Sequence, residues 1–153
     1  MAVTLQEIDA EFQAMRGLTL DLLNACSEAD LASALPQCGP VWKQFRHIAG
    51  VHEDYLSAIE TGQINFDGSC RSYGGDDSRS ALQAYFHALS ERHGRVLSQA
   101  STSREIDWFD ERISLGAHLM RLISHETLHH GQLILLWRTR SVQMPSSWQM
   151  WGV

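Results

Sequence analysis

Apolar side chains recur at intervals of three and four residues in four long segments of the chain. This spacing places them on one face of an α-helix, with polar side chains on the other face. The apolar stripes run from Ile8 to about Cys26, from Val41 to Ile59, from Leu82 to Leu97 and from Leu115 to about Arg140. The pattern therefore predicts four amphipathic helices of about 20 residues each.

Helix-capping residues flank these stripes. Thr4 and Glu7 have the spacing of a capping box, in which a hydroxyl and a carboxylate satisfy free amides at a helix start. Ser78 and Ser114 precede the third and fourth stripes as N-caps, and Gly62 follows the second stripe as a C-cap. The ends of the helices are thus predicted from local chemistry as well as from periodicity.

Three other segments lack a helical period. Residues 62–77 are rich in glycine and in polar or acidic side chains, which predicts a long crossover loop at the surface. The segment Glu105–Phe109 is short and mixed, and we expect it to be extended or irregular. The tail from Met144 is too short for another long helix, and its Trp148 and Trp151 must pack against the rest of the protein.

Four helices without an internal repeat or a strand pattern favour an all-α fold, an up-down four-helix bundle with one long crossover loop and a short aromatic C-terminal tail. A chain of 153 residues with 44% hydrophobic residues can bury one core, so we expect residues 1–153 to form a single domain. The cores of such bundles are places where metal sites are built from side chains on facing helices.

Charge and hydropathy argue against two classes of partner. The net charge is −6 and no run of Lys or Arg is present, so the sequence predicts no binding to nucleic acid or to an anionic membrane surface. The N-terminal residues lack the features of a signal peptide, and no apolar run approaches the roughly 18 residues of a membrane span, so we expect a cytoplasmic protein. Cys26, Cys38 and Cys70 have no CxxC spacing and predict neither a disulfide framework nor a thiolate zinc site.

Two histidines on the fourth predicted helix have the spacing of metal ligands. His125 and His129 are four residues apart, which places them about 40° apart around the helix and one turn apart along it. Both imidazoles can therefore bind one ion. With Glu126 they also match the HExxH motif of zinc peptidases, in which Glu126 would be the general base.

The rest of the sequence argues against a peptidase. A third ligand usually lies downstream in those enzymes, but no Asp or Glu follows Glu126, and the histidines after it are His129 and His130. The third ligand must then come from the upstream histidines, which are His47, His52, His87, His93 and His118. His47 and His52 lie about 140° apart around the second helix, so we do not expect both to bind the same ion.

Two segments resemble the DinB/YfiT-like superfamily. One is Phe45-Arg-His47-Ile-Ala-Gly-Val-His-Glu-Asp-Tyr55 on the second helix, and the other is His125-x-x-x-His129-His-Gly131-Gln132-Leu133 on the fourth. The resemblance implies a four-helix bundle in which His47, His125 and His129 bind a divalent metal ion, with His52 as the alternative ligand on the second helix. Three imidazoles and an open coordination position suit nickel or zinc.

Other polar residues near the motif are candidates for supporting roles. Gln132 lies three residues after His129, and we expect its amide to hold the tautomer of a ligand. His118 shares the face of His125 and either lines the pocket or packs in the core. Glu126 is expected to be solvated or to interact with a ligand without binding the metal. We expect His93 to be a core residue, and His87 and His130 to lie at the surface.

The resemblance also implies a function. Characterised members of the superfamily depend on thiols: some transfer a low-molecular-weight thiol such as bacillithiol to an electrophile, and one uses mycothiol in an isomerisation. We therefore expect a metal-dependent S-transferase or hydrolase that acts on a small molecule, such as a low-molecular-weight thiol, in detoxification. Helical bundles of this size commonly pair through an exposed helix face, so we also expect a homodimer. The alternative is a non-catalytic metal-binding stress-response protein, and the HExxH zinc peptidase is a minor alternative.

Overall fold

Four long helices dominate the computed structural model, which describes residues 3–35, 39–140 and 143–153. The helices are α1 (Leu5–Ala25), α2 (Glu28–Ala32), α3 (Val41–Thr61), α4 (Arg79–Gln99) and α5 (Leu115–Arg140), followed by a 3-10 helix at Ser146–Trp151. Two antiparallel hairpins pair β1 (Ala34–Leu35) with β2 (Gly39–Pro40), and β3 (Glu105–Trp108) with β4 (Glu111–Ser114). Cys38 lies outside the described residues.

Helices α1, α4 and α5 begin, and α3 ends, where the capping residues predict. The Thr4 hydroxyl accepts a hydrogen bond from the Glu7 amide, and the Glu7 carboxylate accepts one from the Thr4 amide. The hydroxyls of Ser78 and Ser114 each accept a hydrogen bond from an amide in the first turn of α4 and α5. Gly62 ends α3 in the left-handed region, with φ of 92°.

Helix α1 runs parallel to α5, α3 runs parallel to α4, and the two pairs are antiparallel to each other. Helix α1 contacts α5 through Ile8 with Gly116 and Thr19 with His130, and α3 contacts α4 through Glu53 with Tyr85 and Glu60 with Arg92, so the numbers rise together in each pair. Helix α3 contacts α5 through His47 with His125 and Tyr55 with His118, so one set of numbers rises as the other falls. The same holds for α1 and α4, which are in contact through Asp9 with His93 and Asn24 with Gln83. The predicted four-helix bundle and its long crossover are confirmed. The helices run up, down, down and up, because the crossover over residues 62–77 returns the chain to the end at which α3 began.

Apolar side chains from all four long helices form one core. Its large buried members include Phe12, Phe45, Phe86, Trp137 and Trp148. Trp148 packs as the sequence predicts, and its indole N–H donates a hydrogen bond to the Leu18 carbonyl, whereas Trp151 is 53% exposed. Within the described residues, no helix is both long enough and apolar enough to cross a bilayer.

The hairpins and the short helix α2 are the elements that periodicity missed. The segment predicted to be extended is β3, but its partner strand β4 was not predicted. Phe109 and Asp110 connect the two strands with φ of 53° and 74°, as in a two-residue turn of type I′. Such turns usually carry Asn-Gly or Asp-Gly, so the Phe-Asp dipeptide gives no sequence signal for this turn.

Gly62→Ala should lower the free energy of unfolding by about 1–2 kcal/mol, because a left-handed conformation is costly for a residue with a Cβ atom. The matched control is Gly17→Ala in the middle of α1, where an added Cβ atom would meet nothing within 4 Å. This control should raise the free energy of unfolding by about 0.5–1 kcal/mol. Urea unfolding measures both values. A shift of the same sign for the two variants would contradict the left-handed end of α3.

Candidate metal centre

Three histidine side chains from two antiparallel helices converge at one place. His47 lies on α3, and His125 and His129 lie one turn apart on α5. The Nε2 atom of His125 is 3.2 Å from Nε2 of His47 and 3.1 Å from Nε2 of His129. The three ligand atoms all lie within 4.8 Å of one another. The structure therefore joins the histidine pair of the last helix to His47.

The spacing of these Nε2 atoms fits a single transition-metal ion. Two nitrogens bound to one ion at about 2.0–2.1 Å lie about 2.9–3.4 Å apart, depending on the bond angle. A linear N–H···N hydrogen bond has a similar length, but it accounts for only one of the two contacts that His125 Nε2 makes, because a neutral ring nitrogen carries one proton or one lone pair. A cation shared by the three lone pairs satisfies both contacts.

Two amides fix the tautomer of His129. The Oε1 atoms of Gln44 and Gln132 each lie 2.9 Å from Nδ1 of His129. An amide oxygen accepts a hydrogen bond, so Nδ1 carries the proton and Nε2 presents its lone pair to the other imidazoles. The contact predicted for Gln132 is present. Gln44 was missed, although its place one turn before His47 on the same helix face is a sequence signal.

Burial keeps the three imidazoles neutral. Loss of hydration lowers the pKa of His47, His125 and His129, and at His125 the pKa falls to about 4. The neighbouring imidazoles strengthen this effect at His47 and His125, because two positive charges so close together repel each other. At neutral pH the group therefore offers three lone pairs, which is the form that binds a cation.

One side of the three-histidine group is open to solvent. His47 is exposed and His125 and His129 are half-buried. Three imidazoles leave at least one coordination position of a divalent ion for water or a substrate, as in catalytic rather than structural zinc sites. The donor set and the access thus fit a divalent metal ion. Nδ1 of His125 is buried and has no hydrogen-bond partner among the described residues.

Glu126 points away from the three histidines, into the core. Its two carboxylate oxygens accept hydrogen bonds of 2.9 Å each from Nε and Nη2 of Arg16, and its side chain is fully buried. Burial alone would raise the pKa of Glu126, but the Arg16 guanidinium and the Thr19 hydroxyl outweigh it and lower this pKa. The prediction of a solvated carboxylate is therefore wrong, and the hydrogen bonds of Glu126 run to Arg16 and Thr19 on α1 instead of to His125 or His129. A side chain one residue after His125 points about 100° away around the helix, which directs it at α1.

His52, the alternative ligand on α3, belongs to this buried network and not to the three-histidine group. Its Nδ1 lies 3.2 Å from Nη1 of Arg16, and its Nε2 lies 2.9 Å from Nδ1 of His93. Nε2 of His93 in turn lies 2.8 Å from the Asp9 carboxylate. Both rings are buried, which confirms the core position predicted for His93. A charged residue on the apolar stripe of α1, Arg16, is the sequence signal for this network.

His118 is a core residue and does not line the three-histidine group. Its Nδ1 accepts a hydrogen bond of 2.9 Å from the Trp108 indole, and its Nε2 lies 3.0 Å from the Tyr55 carbonyl. His130, predicted at the surface, is buried beside Thr19 and Trp148 because the C-terminal tail folds over it. His87 is exposed, as predicted.

The fold and the site together define a small helical bundle with a three-histidine group between facing helices. The sequence profile of the DinB family matches residues 1–145, and the chain belongs to this family. A search of the curated proteins found no significant match.

Several solved structures share the fold. A DinB-like protein from Bacillus cereus has 18% sequence identity and a TM-score of 0.76, over 95% of this chain and 99% of that one. The DinB-like protein YjoA from Bacillus subtilis has 19% identity and a TM-score of 0.74, over 92% and 97% of the two chains. YfiT from Bacillus subtilis, described as a probable metal-dependent hydrolase with an unusual four-helix bundle topology, has 19% identity and a TM-score of 0.65, over 93% and 92%.

Glu126→Gln should lower the free energy of unfolding by about 3–5 kcal/mol, because it leaves the Arg16 guanidinium buried without a counter-charge. The double variant Arg16→Met, Glu126→Met removes both charges and should be less destabilised than the single variant. Urea unfolding of the metal-free protein measures both. If Glu126→Gln unfolds at the same urea concentration as the unchanged protein, the Arg16 charge does not need Glu126 as its partner in the folded state.

The free energy of unfolding should decrease as the pH falls from 6.5 to 5. Burial lowers the pKa of His118 to about 4, so the folded protein keeps this ring neutral while the unfolded chain takes up a proton near pH 6.5. One such group changes the free energy of unfolding by up to about 1.4 kcal/mol per pH unit. His118→Gln, whose amide can make the same two hydrogen bonds, should reduce this slope, whereas exposed His87→Gln should not. Equal slopes would show that the pKa of His118 is the same in the folded and the unfolded protein.

Proposed function

We propose that the protein is a metal-dependent enzyme in which His47, His125 and His129 bind one divalent ion, nickel or zinc. The observation that carries the proposal is the convergence of three Nε2 atoms, two pairs of which are 3.1 and 3.2 Å apart. Neutral imidazoles without a carboxylate or thiolate favour these borderline ions over magnesium or calcium, which prefer oxygen ligands.

The reaction we infer is attack on a small electrophile by a thiol or by water. When bound, a divalent ion lowers the pKa of a thiol or water at its open position and so supplies a nucleophile at neutral pH. Gln44 and Gln132 keep the lone pair of His129 directed at the site. A thiol such as bacillithiol gives the S-transferase suggested by the family resemblance, and water gives a hydrolase, the activity suggested for YfiT.

The position of the site favours a catalytic over a structural metal. The buried core is built from apolar side chains of the four long helices, whereas His47 is exposed and His125 and His129 are half-buried. The fold is therefore expected to persist without the ion. The alternative of a non-catalytic metal-binding stress-response protein requires an ion that changes stability or conformation, so metal removal separates the two.

A zinc peptidase is the least favoured activity. In the HExxH mechanism the glutamate activates the metal-bound water and must face the ion. Here both oxygens of Glu126 are held by Arg16 in the core. Its carboxylate is thus committed to an ion pair and is not available as a general base at the site.

The purified protein should bind about one nickel or zinc ion, and His47→Ala or His129→Ala should abolish tight binding. His87→Ala is the matched control, since this exposed histidine lies outside the group. A double change of Gln44 and Gln132 to Leu should weaken binding by about 10–100-fold, because these amides only orient His129. Isothermal titration and metal analysis provide the readouts. Full binding by His47→Ala would exclude His47 as a ligand.

The metal-free protein and His129→Ala should have nearly the same melting temperature in circular dichroism, and both should remain folded. Added metal should raise the melting temperature of the unchanged protein only by mass action. Collapse of the fold with loss of the ion would support the structural alternative.

For the reaction itself, the metal-loaded protein is assayed for loss of free thiol with an aryl chloride and for hydrolysis of an ester. Inactivity with every pair would favour the non-catalytic protein.

The homodimer remains a prediction. Met120, Leu128 and Leu135 give α5 an exposed apolar stripe that supports it. Light scattering of the protein as it elutes from a size-exclusion column measures its molecular mass in solution, which distinguishes a monomer from a dimer.

A further inference from the structure

A cleft of about 250 Å³ opens beside the three histidines. Its lining includes Lys43, Arg46 and His47 from α3, Arg71 and Tyr73 from the crossover, and Tyr85 from α4. His47 therefore belongs both to the three-histidine group and to the wall of the cleft. A molecule in the cleft would lie next to an ion held by His47.

The cleft is positive in a protein that is negative overall. The chain has a net charge of −6, and Lys43 is its single lysine. No carboxylate is among the described residues that line the cleft. The Lys43 ammonium and the Arg46 guanidinium both lie against the Trp42 ring, 5.6 and 4.7 Å from its centroid, and this contact positions them without cancelling their charge.

Arg71, in the wall of the cleft, is held by an ion pair with Asp54. Its Nε and Nη2 bind the buried Asp54 carboxylate at 3.1 and 2.5 Å. Gly50 makes room for it, because a Cβ atom at this position would lie 3.0 Å from Cδ of Arg71. The Asp54 charge neutralises Arg71, so Arg71 shapes the wall and the net positive charge comes from Lys43 and Arg46.

Two aromatic rings form the remaining wall. The Tyr73 and Tyr85 rings are 4.8 Å apart. The Tyr85 hydroxyl donates to the Glu53 carboxylate, and the Tyr73 hydroxyl donates to the Asp76 carbonyl. Because both hydroxyls are engaged, the rings line the cleft with carbon surface, and most of it belongs to Tyr73, since Tyr85 is 7% exposed. The cleft thus combines a charged rim with an apolar wall.

We propose that this cleft binds the anionic group, a carboxylate or a phosphate, of the small molecule that reacts at the three histidines. The inference rests on the proposed function of that site for its role in the reaction, but anion binding can be measured without any metal. A volume of 250 Å³ is slightly below the roughly 300–1,000 Å³ of clefts that take drug-sized ligands, so a metabolite-sized anion fits. Lys43 and Arg46 would bind its charge, and the tyrosine rings would contact its carbon skeleton.

The single lysine allows a direct test on the full chain. Reductive dimethylation with formaldehyde is followed by mass spectrometry of the Lys43 peptide, with the N-terminal amine as internal reference. Succinate and inorganic phosphate serve as anionic probes, and succinamide and sodium chloride at equal ionic strength serve as controls. We expect succinate or phosphate to slow the labelling of Lys43 severalfold relative to the N-terminal amine, in metal-free and zinc-loaded protein alike.

Arg46→Gln should raise the anion concentration needed for protection about tenfold, the effect of losing one hydrogen bond to a charged group. Arg95→Gln is the matched control, since it removes an exposed arginine from α4 ten residues, or about 15 Å, beyond Tyr85 and should change nothing. Equal protection by succinamide or chloride, or no effect of Arg46→Gln, would overturn the proposal.

The same samples separate this inference from the metal site. If an anion protects Lys43 from labelling but the purified protein takes up no nickel or zinc, the cleft is supported and the proposed metal centre is rejected. If the protein binds metal but no anion protects Lys43, only the proposed anion site in the cleft is rejected. Protection that appears only in zinc-loaded protein also rejects this anion site, because the zinc ion then binds the anion. Stronger protection by succinate than by phosphate identifies a carboxylate substrate, and the reverse order identifies a phosphate ester.

Discussion

The buried ion pair between Arg16 and Glu126 is the interaction on which the geometry of the site depends. It links α1 to α5 in the middle of the core and fixes the rotation of α5 about its axis. With Glu126 directed at α1, the 100° step between successive residues directs His125 toward α3, and His129 follows one turn later. The three-histidine group thus depends on a contact on the other side of the same helix.

The network around this pair explains why the core tolerates two charges. Arg16 also contacts His52, and Thr19 bridges Glu126 to His130, so the hydrogen-bonding groups of the pair have partners. A buried ion pair adds little net stability compared with apolar side chains of the same size. Its contribution here is to specify one arrangement of α1 against α5. The C-terminal tail covers the end of the network with Trp148.

The crossover has a comparable role on the other face of α3. Because residues 62–77 return the chain along the bundle, α3 and α4 are parallel, and Arg71 and Tyr73 lie over the part of α3 that carries His47. Gly50 permits this close approach. The bundle therefore supplies a rigid pair of histidines from α5, while α3, α4 and the crossover build the adjoining cleft. Because apolar packing elsewhere in the bundle stabilises the fold, the three-histidine site is not needed for folding.

The sequence by itself determined the four long helices, the crossover and the pair of His125 and His129, because periodicity, capping residues and the His-x-x-x-His spacing are local properties of a helix. It also placed Gln132 beside His129, since that contact lies within one turn. The tertiary structure alone decided between His47 and His52, placed Glu126 and His130 in the core and formed the β3–β4 hairpin. These features depend on how one helix is rotated against another and on a turn without its usual residues, and neither is encoded in local spacing.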